Sequence, residues 1–229
     1  MGRIKRLITA PLRFRTSRGF GVHSPFAFSF IINVLKQRDS FYSYSTQNKR
    51  TLAARNYSQN LPTKSLQHLI FRICNRFHPN VVFEIGHSTG LEAMAVLDYS
   101  SSCRLMSYDN RQPSELFNTI TERAKERITI VPNFKTGVEQ YKNLTIDSTS
   151  LVIVNRAQNN DTDCDFILSI LDRDGVALFT NIQHDDITKA LWEEINDRLE
   201  THGMTFTNDR RGVIVGNTKL PRQCYRLWL

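Results

Sequence analysis

The stretch Val81–Leu97, VVFEIGHSTGLEAMAVL, decides the fold. Val81–Ile85 is a short run rich in β-branched and aromatic residues, suited to a parallel strand covered on both faces. Gly86-His87-Ser88-Thr89-Gly90 follows, with two glycines four apart. Leu91, Met94 and Ala95 then recur at helical spacing. A strand, a glycine turn and a helix in that order place free backbone N–H groups and a helix start at the carboxyl end of a strand. Open α/β sheets bind nucleotide-like ligands there. Glu84 adds an acceptor near the strand's end. The plain alternative is a strand–turn–helix of any α/β domain.

The glycine spacing narrows the ligand. A dinucleotide turn reads G-x-G-x-x-G and a phosphate loop G-x-x-x-x-G-K-[ST]. This chain has neither, since Leu91 and Glu92 follow Gly90 where a phosphate loop needs Lys. The Glu84 carboxylate would repel a pyrophosphate and suits a cationic or hydrogen-bond-donating ligand. The run E-I-G-x-x-T-G after a hydrophobic strand resembles motif I of the class I S-adenosylmethionine (SAM) methyltransferases, in the branch related to catechol O-methyltransferase. The resemblance implies SAM as cofactor, with Glu84, Gly86, His87, Ser88, Thr89 and Gly90 around it.

The downstream spacing agrees. Cys103–Tyr108 reads as a second strand ending at Asp109-Asn110. An acid about 20 residues after a glycine turn accepts hydrogen bonds from ribose hydroxyls in nucleotide-binding α/β folds. Asp109 stands at that distance, although Asp and Asn are also ordinary strand-end turn residues. Ile128–Val131 reads as a third strand, followed by Pro132-Asn133-Phe134. The resemblance sets this turn against the adenine, with Asn133 hydrogen-bonding the ring and Phe134 on its face; Phe134 suits the core equally well.

The alternation continues. Helices are expected at 113–125, 161–173 and 185–201, and strands at 150–155, 175–181, 204–207, 213–215 and 224–229. Alternating βα units give an α/β fold with right-handed crossovers. The expectation is a Rossmann-like, seven-stranded class I methyltransferase sheet, mostly parallel with an antiparallel C-terminal hairpin. The resemblance covers residues 62–229. Residues 1–61 are expected to form a basic, helical N-terminal extension or cover.

The pattern departs from the family where chemistry should occur. Metal-dependent catechol-type enzymes carry Asp after the fourth strand and Asp-Asn after the fifth. Here those positions hold Asn155 and Thr180-Asn181. A Mg²⁺ or Ca²⁺ site wants carboxylate oxygens, so no metal site is expected. Arg156 stands near the place of a lysine common in the family. Asp161, Asp163 and Asp165 fall in a helix's first turn, where capping and the helix dipole account for them. Asn155 is instead counted among the cofactor-binding candidates, together with Asn110. No general base stands out, and His184 and His23 are the first histidines to test.

The N-terminal stretch Gly19-Phe-Gly-Val-His23-Ser-Pro-Phe26 resembles the opening of a group of bacterial proteins classed as methyltransferases. Gly19 and Gly21 permit unusual backbone angles, and Ser24-Pro25 favours a helix start. His23 reads as a structural residue or a lid over the cofactor. The 229-residue chain has a net charge of +8. Residues 1–38 hold Arg3, Lys5, Arg6, Arg13, Arg15, Arg18, Lys36 and Arg38 and no acid, and the remainder balances. The extension therefore carries the whole charge, as a solvated arm or as a contact for nucleic acid or anionic lipid. An Arg-rich, acid-free start also fits an organellar transit peptide, against which the bacterial resemblance speaks. Residues 47–62 are polar and read as a linker or part of a cover. Four scattered cysteines without C-x-x-C fit a reducing cytoplasm rather than a disulfide framework or a zinc site. No apolar run is long enough to span a bilayer.

The sequence thus points to a SAM-dependent methyltransferase acting on an oxygen or nitrogen nucleophile without a metal. The alternative is a catalytically inactive protein of the same fold, serving as a SAM-binding or nucleic-acid-binding scaffold. A small-molecule substrate, a nucleic acid and a homodimer are the partners left open.

Overall fold

The computed structural model describes residues 11 and 13–229. Arg3, Lys5 and Arg6 of the basic arm lie outside the described residues. Eight strands form one sheet. Its centre is β1 (Val81–Ile85), buried along its whole length. β1 pairs in parallel with β2 (Arg104–Tyr108) on one side and β4 (Leu151–Val154) on the other. β3 (Ile128–Ile130) extends the sheet beyond β2, and β5 (Val176–Phe179) beyond β4. After β6 (Met204–Thr207) the chain turns back, and β7 (Gly212–Val215) inserts antiparallel between β5 and β6. The spatial order is β3-β2-β1-β4-β5-β7-β6-β8.

The mostly parallel sheet with an antiparallel hairpin is as expected, but the count of seven is corrected to eight. The residues after 222 form β8 (Gln223–Arg226), which pairs in parallel with β6 and adds an edge. β7 ends with Val215 opposite Met204 at the start of β6, and the loop at 216–222 crosses to the far side of β6 there, so β8 runs parallel to it.

Side chains alternate across the sheet as the strand period requires. Val82, Leu105, Ile153 and Leu178 face one apolar cluster with α3 (Lys64–Phe77) and α4 (Leu91–Leu97). Phe83, Met106, Val152 and Phe179 face the other, with α6 (Phe134–Leu144), α7 (Asn160–Leu171) and α8 (Asp186–Arg198). Phe134 belongs to this second cluster, edge-on to Phe83 and Phe166. The helix expected at 113–125 is α5 (Glu115–Thr121), continued by a 3₁₀ turn at Glu122–Arg127. Asp163 is fully buried and accepts from the N–H groups of Gln158 and Asn159, ahead of α7. It therefore acts as a capping residue.

The extension is packed into the domain. Gly19 and Gly21 take φ of +81° and +77°, and Ser24 caps α1 (Pro25–Phe30) with Pro25 in its first turn. Phe30, Ile31, Val34 and Leu35 join the same cluster as α3 and α4. The stretch read as a polar linker begins inside α2 (Tyr42–Ala54), which is tied to the end of α4 by a two-pronged Arg50–Asp98 ion pair. At the described start of the basic arm, Arg13 is 1% exposed and ion-paired with Asp209. Ser17 Oγ accepts the Trp228 N–H at 2.9 Å. The solvated-arm expectation therefore does not hold for Arg13, while Arg15 and Arg18 are exposed.

Candidate functional site

The carboxyl ends of β1, β2, β4 and β5 meet at the point where the strand order reverses, the usual place for a ligand crevice in open α/β sheets. Glu84 on β1 lies beside Ser107 on β2 in the strand register. Ser107 Oγ donates to one Glu84 oxygen. Asn155 Nδ2 donates to the other at 2.7 Å and to the Gly86 carbonyl at 3.0 Å. Thr180 Oγ1 donates to Asn155 Oδ1 at 2.9 Å. Asn155 and Thr180, two of the three residues where the resemblance places metal ligands, are thus spent on a latch joining β1, β4 and β5. Glu84 is 1% exposed. Burial pushes its carboxyl up to about 8, against the pull of the two hydrogen bonds. At neutral pH it is mainly a carboxylic acid within the latch and not an open acceptor.

The glycines of the turn have structural causes. Gly86 has φ +84°, and a Cβ there would lie 2.7 Å from the Arg156 carbonyl oxygen. Gly90 has φ +86° and packs against the backbone of Phe117. The turn also offers fewer free N–H groups than the sequence suggests. Gly86 N–H donates to the Tyr108 carbonyl, and His87 N–H to Asp109 Oδ2 at 2.9 Å. Ser88 and Thr89 hydroxyls donate to the two oxygens of Glu92. Glu92 is 4% exposed, and burial raises its carboxyl above the ordinary value.

Asp109 ends β2 with its side chain buried. The Arg111 and Arg156 side chains both donate to it, at 3.2 and 3.0 Å, and the Arg111 backbone N–H donates at 2.8 Å. Burial alone would raise this carboxyl. The Arg111 hydrogen bonds and the charges of both arginines outweigh burial and hold it below the usual carboxylate value.

A cleft of about 280 Å³ opens above these residues. Its floor is His87, Ser88, Thr89, Glu92 and Asn155; Thr180, Asn181 and His184 form the β5 side. Its other walls are Asn60–Thr63, Leu66 and the arginines 111, 156, 210 and 211. Burial lowers the pKa of His87 and favours its neutral form, and both its ring nitrogens are buried. Asn181 Oδ1 is buried and unpaired. No group of three or more His, Cys, Asp or Glu side chains in metal-binding geometry occurs among the described residues.

Of the candidates read from the sequence, His87, Ser88, Thr89 and Asn155 line the cleft. Glu84, Gly86, Gly90 and Asp109 sit beneath it. Asn110 and Asn133 lie apart from it, exposed on the β2–β3 side. Asn110 accepts from the Tyr108 hydroxyl, and Asn133 Oδ1 caps α6 at Thr136 N. Phe134 is in the core. His184 lines the cleft and His23 is exposed elsewhere. Asn60, Leu61 and Pro62, at the end of the stretch read as a linker or part of a cover, line the cleft; the sequence reading missed Thr63, Glu92, Arg210 and Arg211. The Arg210-Arg211 pair in a polar turn between two strands was the available signal.

No family model and no curated protein matches the sequence. Solved structures do match its fold. A methyltransferase of Podospora anserina with bound S-adenosylhomocysteine (SAH) is 13% identical with a TM-score of 0.55, over 79% of this chain and 90% of that one. The O-methyltransferase TomG of Streptomyces achromogenes, involved in tomaymycin synthesis and solved with SAM, is 12% identical at TM-score 0.52, over 77% and 89%. An O-methyltransferase of Bacillus cereus in complex with SAH is 12% identical at TM-score 0.50, over 77% and 91%. The chain therefore has the class I methyltransferase fold, with an eighth strand.

Proposed function

We propose that this protein is a SAM-dependent methyltransferase that transfers a methyl group to an oxygen or nitrogen nucleophile without a divalent metal. The observation that carries the reading is a cleft at the strand-order reversal, above a glycine turn and beside a buried acid at the next strand's end. The structural neighbours with SAM or SAH in their descriptions support the choice of ligand. SAM supplies an activated methyl group on a sulfonium.

The residues present fit such a ligand. Asp109 accepts the ribose hydroxyls once Arg111, whose side chain is 63% exposed, and Arg156 yield their contacts. Glu92 faces the amino-acid end, where a cationic ligand favours its ionised form. The unpaired Asn181 carbonyl oxygen gains a partner. The nucleophile sits at the β5 side, where Asn181 Oδ1 accepts its hydrogen bond and a His184 ring nitrogen takes its proton. The main contributions are proximity and exclusion of water. With Asn155 and Thr180 in the latch, no carboxylate is left at the family's metal positions.

The non-catalytic reading is favoured by one observation: Asp109 is already satisfied by two arginines. An assay of labelled methyl transfer from SAM to a panel of small acceptors in EDTA separates the two. Transfer in EDTA is expected. Activity that vanished with EDTA and returned with Mg²⁺ would contradict the metal-free proposal, and no transfer despite SAM binding would favour the scaffold.

A further inference from the structure

We propose that Arg210, Arg211 and Arg156 form an anion-holding subsite in the cleft, and that it takes a phosphate group carried by the methyl acceptor; this rests on the cleft being the methyl-transfer site.

Arg211 is 9% exposed, yet no carboxylate partners it among the described residues. Its guanidinium donates instead to two neutral hydroxyls, Thr63 Oγ1 at 2.7 Å and Ser65 Oγ at 3.1 Å. Arg210 beside it also lacks an acidic partner among the described residues. Burial and the neighbouring Arg210 charge both disfavour the Arg211 cation. Arg156 reaches the same cleft from the end of β4, with its Nε buried and unpaired. Elsewhere several arginines find acids, as in Arg13–Asp209, Arg50–Asp98 and Arg198–Asp165. A buried or half-buried cation without a counter-charge is costly unless something pairs with it.

For Arg210 and Arg211 the cleft's own acids do not fill that role. Asp109 pairs with Arg111 and, at 3.0 Å, with Arg156, and Glu92 is held by Ser88 and Thr89. Asp185 lies behind His184 and caps α8 at Thr188 N.

The arginine pair is also held in place. Asn208 Oδ1 accepts the N–H groups of both Arg210 and Arg211, at 3.0 and 2.7 Å. Asp209, at φ +68°, is anchored by Arg13. Guanidinium forks match the oxygens of a phosphate in pairs, and a doubly charged group balances two cations. A phosphate seated between β4 and the β6–β7 turn leaves the nucleophile near Asn181 and His184.

The competing occupant is the carboxylate of the cofactor itself, and titration distinguishes the two. Pyrophosphate, with citrate as a carboxylate counterpart, is titrated calorimetrically into the full chain with and without saturating SAH. SAH is titrated separately. The proposal predicts that pyrophosphate binds the SAH-saturated protein more tightly than citrate does. Arg210→Gln and Arg211→Gln should each weaken that binding at least tenfold, while SAH still binds. Arg210 is exposed, so its variant reports on the site even if Arg211→Gln fails to fold. Competition between pyrophosphate and SAH, or equal pyrophosphate binding by wild type and Arg210→Gln, would overturn the subsite. Tighter citrate binding would overturn the phosphate assignment. Absence of SAH binding alone would defeat the cofactor reading, whereas the pyrophosphate titration without SAH reports on the subsite independently.

Discussion

Asn155 Nδ2 donates to Glu84 Oε1 at 2.7 Å, across the ends of two neighbouring strands. One side chain thus occupies a position where the resemblance calls for a metal-binding acid, and spends itself on a buried carboxyl group. That carboxyl has a pKa raised to about 8 by burial.

The folded protein therefore keeps a proton on Glu84 that the unfolded chain gives up near the ordinary carboxylate range. Stability is expected to fall as pH rises from about 4.5 to about 8, by up to a few kcal/mol over that window. Glu84→Gln keeps the shape and removes the titration. Its melting temperature should decline less than that of wild type between about pH 5 and pH 8. Parallel declines would show that Glu84 is ionised in the folded state.

Glu92 supplies a pH dependence of ligand binding. Burial raises its carboxyl, and a cationic ligand favours the ionised form. Binding should then release a proton, and SAM affinity should rise with pH until Glu92 is ionised in the free protein. Calorimetry in buffers of different ionisation enthalpy measures the released proton. Glu92→Gln should abolish the release and weaken binding, most at the higher pH. Unchanged proton release in that variant would remove Glu92 from the ligand's surroundings.

Arg13 tests the extension. Its guanidinium is 1% exposed and paired with Asp209, whose side chain is 23% exposed. Arg13→Ala should cost on the order of 2 kcal/mol, below the 3–5 typical of fully buried pairs because solvent reaches the aspartate. The melting temperature of a variant lacking residues 1–10 provides the reference. Removing 1–18 should lower it, because Arg13 and Ser17 go with it. A contact of the basic arm with nucleic acid would appear as RNA binding that the shorter deletion abolishes and that falls steeply with salt. Equal stability of wild type and Arg13→Ala would contradict the packing of this segment.

Much of the fold was legible because the signals are local. β-branched runs marked the strands, and Ser24 and Asp185 precede helices that they cap. The direction of β8 was not legible, since four residues at an edge carry no register information beyond their neighbours. The extension was expected to be helical, but the run of α2 past residue 47 was not legible because its polar sequence shows little periodicity, and its stability comes from Arg50–Asp98 and from packing. At the site, the glycine turn and Asp109 stood out by spacing. That Glu84 would be closed off depended on Ser107 and Asn155, which are distant in sequence and meet only through the sheet. Arg211 became informative only when its burial and lack of an acid were seen together.

The central claim is that the cleft binds SAM through Asp109. The most direct measurement is calorimetric titration of SAM into wild type and Asp109→Ala, with melting temperatures as a check on folding. Losing hydrogen bonds to a charged acceptor costs about 1.5–3 kcal/mol, so affinity should drop roughly ten- to a hundredfold or somewhat more in a variant that remains folded. Equal affinities would remove Asp109 from the site, and a wild type that binds no SAM would contradict the account.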